Sequence, residues 1–122
     1  MILVDTSVWV DHFRSNNEHL ADCLEAGAVV THPFVIGEIA LGSIRDRALV
    51  LGPLGQIERS TVASDKEVAR FIEEHRLYGR GIGYVDVHLL ASVLLTPGVE
   101  FWTLDRRLRS VAEELGIAFQ AD

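Results

Sequence analysis

The chain opens with the stretch MILVDTS, residues 1–7, and this stretch decides the fold. Residues 2–4 form a short apolar run without polar alternation, which is typical of a strand covered on both faces. Asp5 and two hydroxyl residues follow the run immediately, and such residues are favoured where a helix begins. The opening of the chain therefore predicts a buried strand with polar side chains at its carboxyl end.

Three more segments have strand character, at residues 28–30, 100–104 and 117–119. Helical patterns separate these segments, and an alternation of strands with helices indicates a mainly parallel sheet. We therefore predict an α/β fold with a mainly parallel central sheet of about four to five strands, flanked by helices. Ligands of such folds bind at the carboxyl ends of the strands, so the functional residues are expected there.

Start and stop signals mark four helices along the chain. Pro33 stands in the first turn of one helix, and Ser64 and Glu67 have the spacing of a capping box at the start of another. A terminal glycine, Gly116, is expected to stop the last helix. The predicted helices cover residues 33–41, 64–79, 84–95 and 106–115. Residues 45–63 match no clear pattern.

Length and composition predict a single domain over residues 1–122. With 48% hydrophobic residues the chain has enough apolar surface for a core. Its lone cysteine, Cys23, provides neither a disulfide nor a multi-cysteine zinc site, so nothing calls for an oxidising compartment. No apolar stretch approaches the roughly 18 residues that a membrane span needs, and no signal-type segment precedes residue 2. We expect a soluble cytoplasmic protein that makes no membrane contact.

The charge balance is acidic, with 18 Asp and Glu against 11 Lys and Arg, and a net charge of −7. Only Lys66 is a lysine, and the other ten cations are arginines. This balance lacks the bulk basic character of many nucleic-acid-binding proteins. It leaves open a metal site, because hard divalent cations are bound by clustered carboxylates.

Three aspartates lie where they could act as simple helix caps. Asp5 and Asp105 each follow a strand and precede a helix, and Asp86 lies in the first turn of the most hydrophobic helix. Taken one at a time, capping is the simpler interpretation of all three. A glutamate on the helix at 33–41 is different, since Glu38 is predicted to share an apolar face with Phe34 and Leu41. A carboxylate there needs a partner, and an arginine is the simplest one.

Taken together, the four acids predict one cleft, because strand ends and helix starts converge at the same edge of a parallel sheet. The arginine partner of Glu38, Arg45 or Arg14, remains the alternative for that residue. Four clustered carboxylates repel one another unless a cation such as Mg²⁺ or Mn²⁺ neutralises them. Hydroxyl groups beside the acids could orient them or a water molecule, or could serve as ordinary turn and cap groups; they belong to Thr6, Ser7 and Thr103.

Four motifs in order along the chain carry a family resemblance: VDTSVW at 4–9 with Arg14 after it, IGEI at 36–39, GYVDVHLLA at 83–91 and FWTLD at 101–105. They resemble the PIN-domain ribonucleases, specifically the VapC-type toxins of toxin–antitoxin pairs. The resemblance implies Mg²⁺- or Mn²⁺-dependent RNA cleavage, a homodimer and inhibition by a VapB-type antitoxin. It also implies a catalytic and metal-binding quartet of Asp5, Glu38, Asp86 and Asp105, with Asp5 and Asp86 as the direct metal ligands.

Several arginines have two possible roles. Arg106 and Arg107 lie at the start of the last helix, where the helix dipole disfavours cations. They belong either to a solvated face with ion pairs, such as Arg109 with Glu113, or to a surface that holds RNA phosphates. The same two roles apply to Arg14 and Arg80. We predict a metal-dependent endoribonuclease, and the alternative is a non-catalytic α/β module that uses the acidic cleft for binding or signalling.

Overall fold

Three parallel strands form the central sheet of the computed structural model, which describes residues 1–121. The strands are β1 (Ile2–Val4), β2 (Val29–Val30) and β3 (Glu100–Trp102), in the order β2-β1-β3. Ile2 pairs with Val29 on one side and with Glu100 on the other. The opening apolar run is therefore the middle strand, which has a neighbouring strand at each edge.

The sheet has fewer strands than the four to five expected from the sequence. Residues 117–119 form only a single parallel bridge, between Phe101 and Ala118, because the hydrogen bonds of this segment converge on Phe101 alone. A second single bridge joins Thr31 to Arg59 at the opposite edge. Each edge segment thus contributes one residue pair instead of a strand, while the predicted α/β class and parallel arrangement are confirmed.

The predicted helices are present, with one boundary corrected. The helix at Ser64 has the predicted capping box, but it ends at His75 because Arg76 adopts a left-handed conformation with φ of 52°. Three helices lie outside the four predicted ranges, at residues 6–15, 18–25 and 47–54. The helices are α1 (Thr6–Ser15), α2 (Glu18–Glu25), α3 (Pro33–Leu41), α4 (Arg47–Leu54), α5 (Asp65–His75), α6 (Tyr84–Leu95) and α7 (Arg106–Glu114).

The core lies where α6 packs with the sheet. Every residue of α6 from Val87 to Val93 is buried, and Leu3, Val4 and Phe101 of the strands are at most 1% exposed. Burial of this apolar surface is the main contribution that stabilises the fold. Within residues 1–121 we find no helix with the length and apolar character needed to cross a membrane.

A buried histidine connects α3 to α6. His32, 0% exposed, caps α3, and its Nδ1 accepts a hydrogen bond from the Phe34 amide at 3.0 Å. Its Nε2 lies 3.1 Å from the Ser92 hydroxyl on α6. Since Nδ1 accepts, Nε2 carries the proton of the neutral ring. Burial, followed by the charges of His88 and Arg59, lowers the pKa of His32 to about 4.

Candidate active site

Asp5 does not act as a helix cap, although it occupies the N-cap position of α1. Its side chain makes no capping hydrogen bond. Instead its Oδ2 accepts hydrogen bonds from the hydroxyl groups of Ser7 at 2.7 Å and Thr103 at 2.8 Å, and the residue is only 6% exposed. The capping interpretation of Asp5 is therefore wrong. The carboxylate is held by hydroxyls from two different segments of the chain.

The two hydroxyls also join the carboxyl ends of β1 and β3. Ser7 Oγ accepts from the amide of Leu104 at 3.0 Å, and Thr103 Oγ1 accepts from the amide of Asp105 at 3.1 Å. Each hydroxyl donates its single proton to Asp5 and accepts a backbone proton, so its orientation is defined from both sides. Buried carboxylates require such donors, because an unsatisfied charge in the interior is strongly destabilising.

Glu38 shares a face of α3 with Phe34 and Leu41, as the spacing predicts, but that face is exposed, so burial does not force a partner on the carboxylate. Phe34 is 37% exposed and Leu41 is 90% exposed, so the stripe they form with Glu38 faces outward. Val35 and Ile39 form the buried face of the helix. The helical spacing is correct, but spacing does not determine which face a neighbouring element covers.

The partner of Glu38 is a hydroxyl. Thr6 Oγ1 donates a hydrogen bond of 2.7 Å to Glu38 Oε1, which connects the start of α1 to the middle of α3. Across residues 1–121 neither Arg14 nor Arg45 forms an ion pair with this carboxylate. Successive residues, Thr6 and Ser7, thus hold two different members of the acidic set.

Asp86 and Asp105 are each oriented by a backbone amide. Asp86 Oδ2 accepts from the amide of Gly83 at 2.9 Å, and Asp105 Oδ1 accepts from the amide of Leu108 at 2.9 Å. Capping is therefore part of what these two aspartates do. Asp86 is half-buried at the start of α6, whereas Asp105 is exposed at the start of α7.

Asp86 lies within electrostatic range of the other three acids. Burial raises the pKa of Asp86, and the negative charges of Asp5, Asp105 and Glu38 raise it further. The hydrogen bond from the Gly83 amide acts in the opposite direction, because it favours the charged form. The fold thus brings together carboxylates that are up to 100 positions apart in a sequence of 122 residues.

The four carboxylates supply only oxygen atoms, the ligand type that Mg²⁺ and Mn²⁺ prefer. Within residues 1–121, protein hydrogen bonds reach only one oxygen of each of the four carboxylates. In the same residues no group of three or more His, Cys, Asp or Glu side chains is placed so that it could hold a metal ion. Mg²⁺ usually keeps several waters and binds through one or two carboxylates together with substrate phosphates, so a site for it does not require three protein ligands.

We expect Asp86→Asn to raise the melting temperature in EDTA at about pH 7, because it removes a charge that burial and the neighbouring acids disfavour. The Asn side-chain oxygen can still accept from Gly83, so the local hydrogen bond is preserved. Glu73→Gln on α5 is the matched control, an exposed acid whose side chain makes no ion pair in the described part of the chain. The gain should diminish on acidification, because the raised pKa of Asp86 means that the wild-type carboxyl takes up a proton early in the titration. An Asp86→Asn protein that melts below wild type would contradict this electrostatic account.

The candidate phosphate-binding arginines have different surroundings. Arg80 forms a two-pronged ion pair with Glu114, with both distances 2.9 Å, so its guanidinium connects the segment before α6 to α7. Arg106 and Arg107 are exposed beside Asp105. The Arg109–Glu113 pair is present at 3.9 Å, as the spacing predicted.

Arg14 lies on a groove that the sequence did not reveal. The groove has a volume of about 890 Å³ and extends from Glu38 along α1, α3 and α4. Its far wall comes from residues 42–50, where no pattern had been recognised. The turn into α4 uses Asp46 with φ of 52°, a left-handed conformation that aspartate tolerates better than most residues. No sequence signal marked this segment as part of a cleft.

The comparisons with known proteins agree with this geometry. The family model described as PIN domain matches residues 2–114. Two proteins named Ribonuclease VapC32, from the CDC 1551 and H37Rv strains of Mycobacterium tuberculosis, are each 45% identical to the chain over 118 residues. The aligned region covers 97% of this chain and 95% of each relative. A match of this extent, together with the parallel sheet and the acids at its carboxyl edge, shows that the chain belongs to the PIN domain family.

Proposed function

We propose that this protein is a metal-dependent endoribonuclease, the toxin component of a VapBC-type pair, and that it hydrolyses phosphodiester bonds of RNA. The observation that carries the proposal is the convergence of Asp5, Glu38 and Asp105 on Asp86. The ribonuclease name of the relatives, at 45% identity over nearly the whole chain, supports the same reaction.

In this proposal Asp5 and Asp86 hold Mg²⁺ or Mn²⁺, and Glu38 and Asp105 complete the site directly or through water. A divalent ion bound there supplies a Lewis acid that lowers the pKa of water and offsets negative charge on the phosphate. The hydrogen-bond donors described above give Asp5 and Asp86 their orientation before any ligand binds. Prior orientation reduces the entropy lost when the site is assembled.

Other residues of the site orient the carboxylates or contact the attacking water. Ser7 and Thr103 orient the Asp5 carboxylate by hydrogen bonds. Thr6 orients the Glu38 carboxylate in the same way. Glu38 and Asp105 are the more exposed acids, so either can accept a hydrogen bond from water next to the scissile phosphate. This role suits them because a water molecule must approach from solvent.

The proposal extends to partners and place of action. Alongside RNA as substrate, we propose a VapB-type antitoxin that covers the cleft, a homodimeric assembly and a cytoplasmic location. The names of the relatives support the RNA substrate and the antitoxin. The family resemblance supports the homodimer, and the cysteine content of the sequence supports a cytoplasmic location.

The test is cleavage of end-labelled RNA by purified protein. We expect fragments in Mg²⁺ or Mn²⁺, none in EDTA, and restored cleavage when Mg²⁺ is added in excess over the chelator. A DNA strand of the same sequence, incubated in parallel, checks that the substrate is RNA. Cleavage that persists in EDTA would contradict the proposed metal dependence. A protein that binds Mn²⁺ yet leaves every RNA intact would favour the non-catalytic binding module.

A further inference from the structure

Arg107 lies across a glycine turn that leads into α6. A methyl group placed on Gly81 would be 2.7 Å from Nη1 of Arg107, which is closer than real contacts allow, and 3.0 Å from its Cδ. Gly81 also has φ of +78°, a conformation that favours glycine. Glycine at this position therefore leaves the space in which the arginine side chain is seated.

The charge of Arg107 has no structural explanation in residues 1–121. Arg80 and Arg109 pair with glutamates, but Arg107 forms no ion pair and no side-chain hydrogen bond there, although the chain carries 18 acids. It also lies in the first turn of α7, where the helix dipole disfavours a cation. A seated, exposed and unpaired guanidinium is available to bind an external anion.

Its position links it to the carboxylate cluster from two sides. In sequence it follows Asp105 by two residues, and it packs against Gly81, two residues before the Gly83 amide that donates to Asp86. A group bound at this guanidinium therefore lies next to the segments that orient two of the four acids. An RNA strand entering an acidic cleft needs a local cation of this kind, because the net charge of −7 repels it.

We propose that Arg107, seated on Gly81, binds a backbone phosphate of the RNA beside the carboxylate cluster. The proposal rests on the ribonuclease function proposed above and adds a substrate contact to it. A guanidinium suits the role because its planar fork donates two parallel hydrogen bonds to phosphate oxygens. The contact with Gly81 places the side chain beside the turn into α6 before RNA binds.

The first test compares Arg107→Gln with Arg109→Gln, which removes the same charge from the same helix at a residue already paired with Glu113. Binding of a fluorescein-labelled RNA of mixed sequence is measured by anisotropy in EDTA, where no cleavage is expected. We expect Arg107→Gln to weaken binding about tenfold and to reduce the salt dependence by about one phosphate contact. Its melting temperature should equal or exceed that of wild type.

A second comparison tests the contact between Gly81 and Arg107. Gly81→Ala and Gly79→Ala impose similar backbone strain, since φ is +78° and +70°, but only a side chain at Gly81 meets Arg107. We expect both to lower the melting temperature alike, and only Gly81→Ala to weaken RNA binding. Arg107→Gln that binds RNA as wild type does, or that mainly lowers the melting temperature, would overturn the proposal while leaving the nuclease intact. Wild-type protein that neither binds nor cleaves RNA would overturn the proposed function itself.

Discussion

Asp5→Asn is expected to reduce Mg²⁺-dependent RNA cleavage at least about a hundredfold while leaving the far-UV circular dichroism spectrum unchanged. Asparagine has the shape of aspartate, and its side-chain oxygen can accept from both Ser7 and Thr103 as Oδ2 does now. The substitution removes the negative charge proposed to bind the metal and preserves the surrounding hydrogen bonds. Single-turnover cleavage of end-labelled RNA measures the loss.

Asp22→Asn on α2 is the matched control for this substitution, because it neutralises an exposed aspartate outside the carboxylate cluster. It should cleave RNA at the wild-type rate. In EDTA the melting temperature of Asp5→Asn should be equal to or higher than that of wild type, since Asp5 makes no capping bond. Cleavage within about twofold of wild type would remove Asp5 from the mechanism, because loss of a metal ligand costs far more. A clear drop in melting temperature would instead assign Asp5 a structural role.

Acidification is expected to destabilise the protein through His32. The unfolded chain takes up a proton on this histidine near its ordinary pKa of 6.5, whereas the buried ring does so only at about 4. The unfolded state therefore binds more protons in this window, and stability is lost as the pH falls from 6.5 towards 4. The free energy of unfolding lost through His32, relative to neutral pH, is about 2 kcal/mol at pH 5 and about 3 kcal/mol at pH 4. Urea unfolding between pH 7 and pH 4.5 measures it.

His32→Asn provides the comparison for this prediction, because its side-chain oxygen can replace Nδ1 as the cap of α3 and the residue does not titrate. The variant should be less stable at pH 7 through loss of the Ser92 contact, and its stability should depend less on pH than that of wild type. His19→Gln, which removes an exposed histidine, should keep the wild-type dependence. Parallel pH profiles for wild type and His32→Asn would contradict the assignment. Protonation of Asp86 stabilises the folded protein as the pH falls, which opposes the effect of His32. The test therefore depends on the difference between the stability profiles of wild type and His32→Asn.

Local features of the chain were predictable because their causes lie within a few residues. The capping box at Ser64 and Glu67, proline in the first turn of α3 and the unalternating run at residues 2–4 act through contacts that span at most four positions. The positions of Asp5 and Asp105 follow from the same local rules, because each directly follows a strand.

The tertiary structure alone decided which side chains meet and which are exposed. Thr103 donates to Asp5 across 98 positions, Thr6 to Glu38 across 32, and Arg80 pairs with Glu114 across 34. A helical period determines which residues share a face but not what covers that face, so the spacing placed Glu38 in the correct stripe without showing that the stripe is exposed. Whether an acid caps a helix, faces solvent or joins a cluster depends on the packing of elements distant in sequence. That packing is governed by burial of the whole core, which no local pattern encodes.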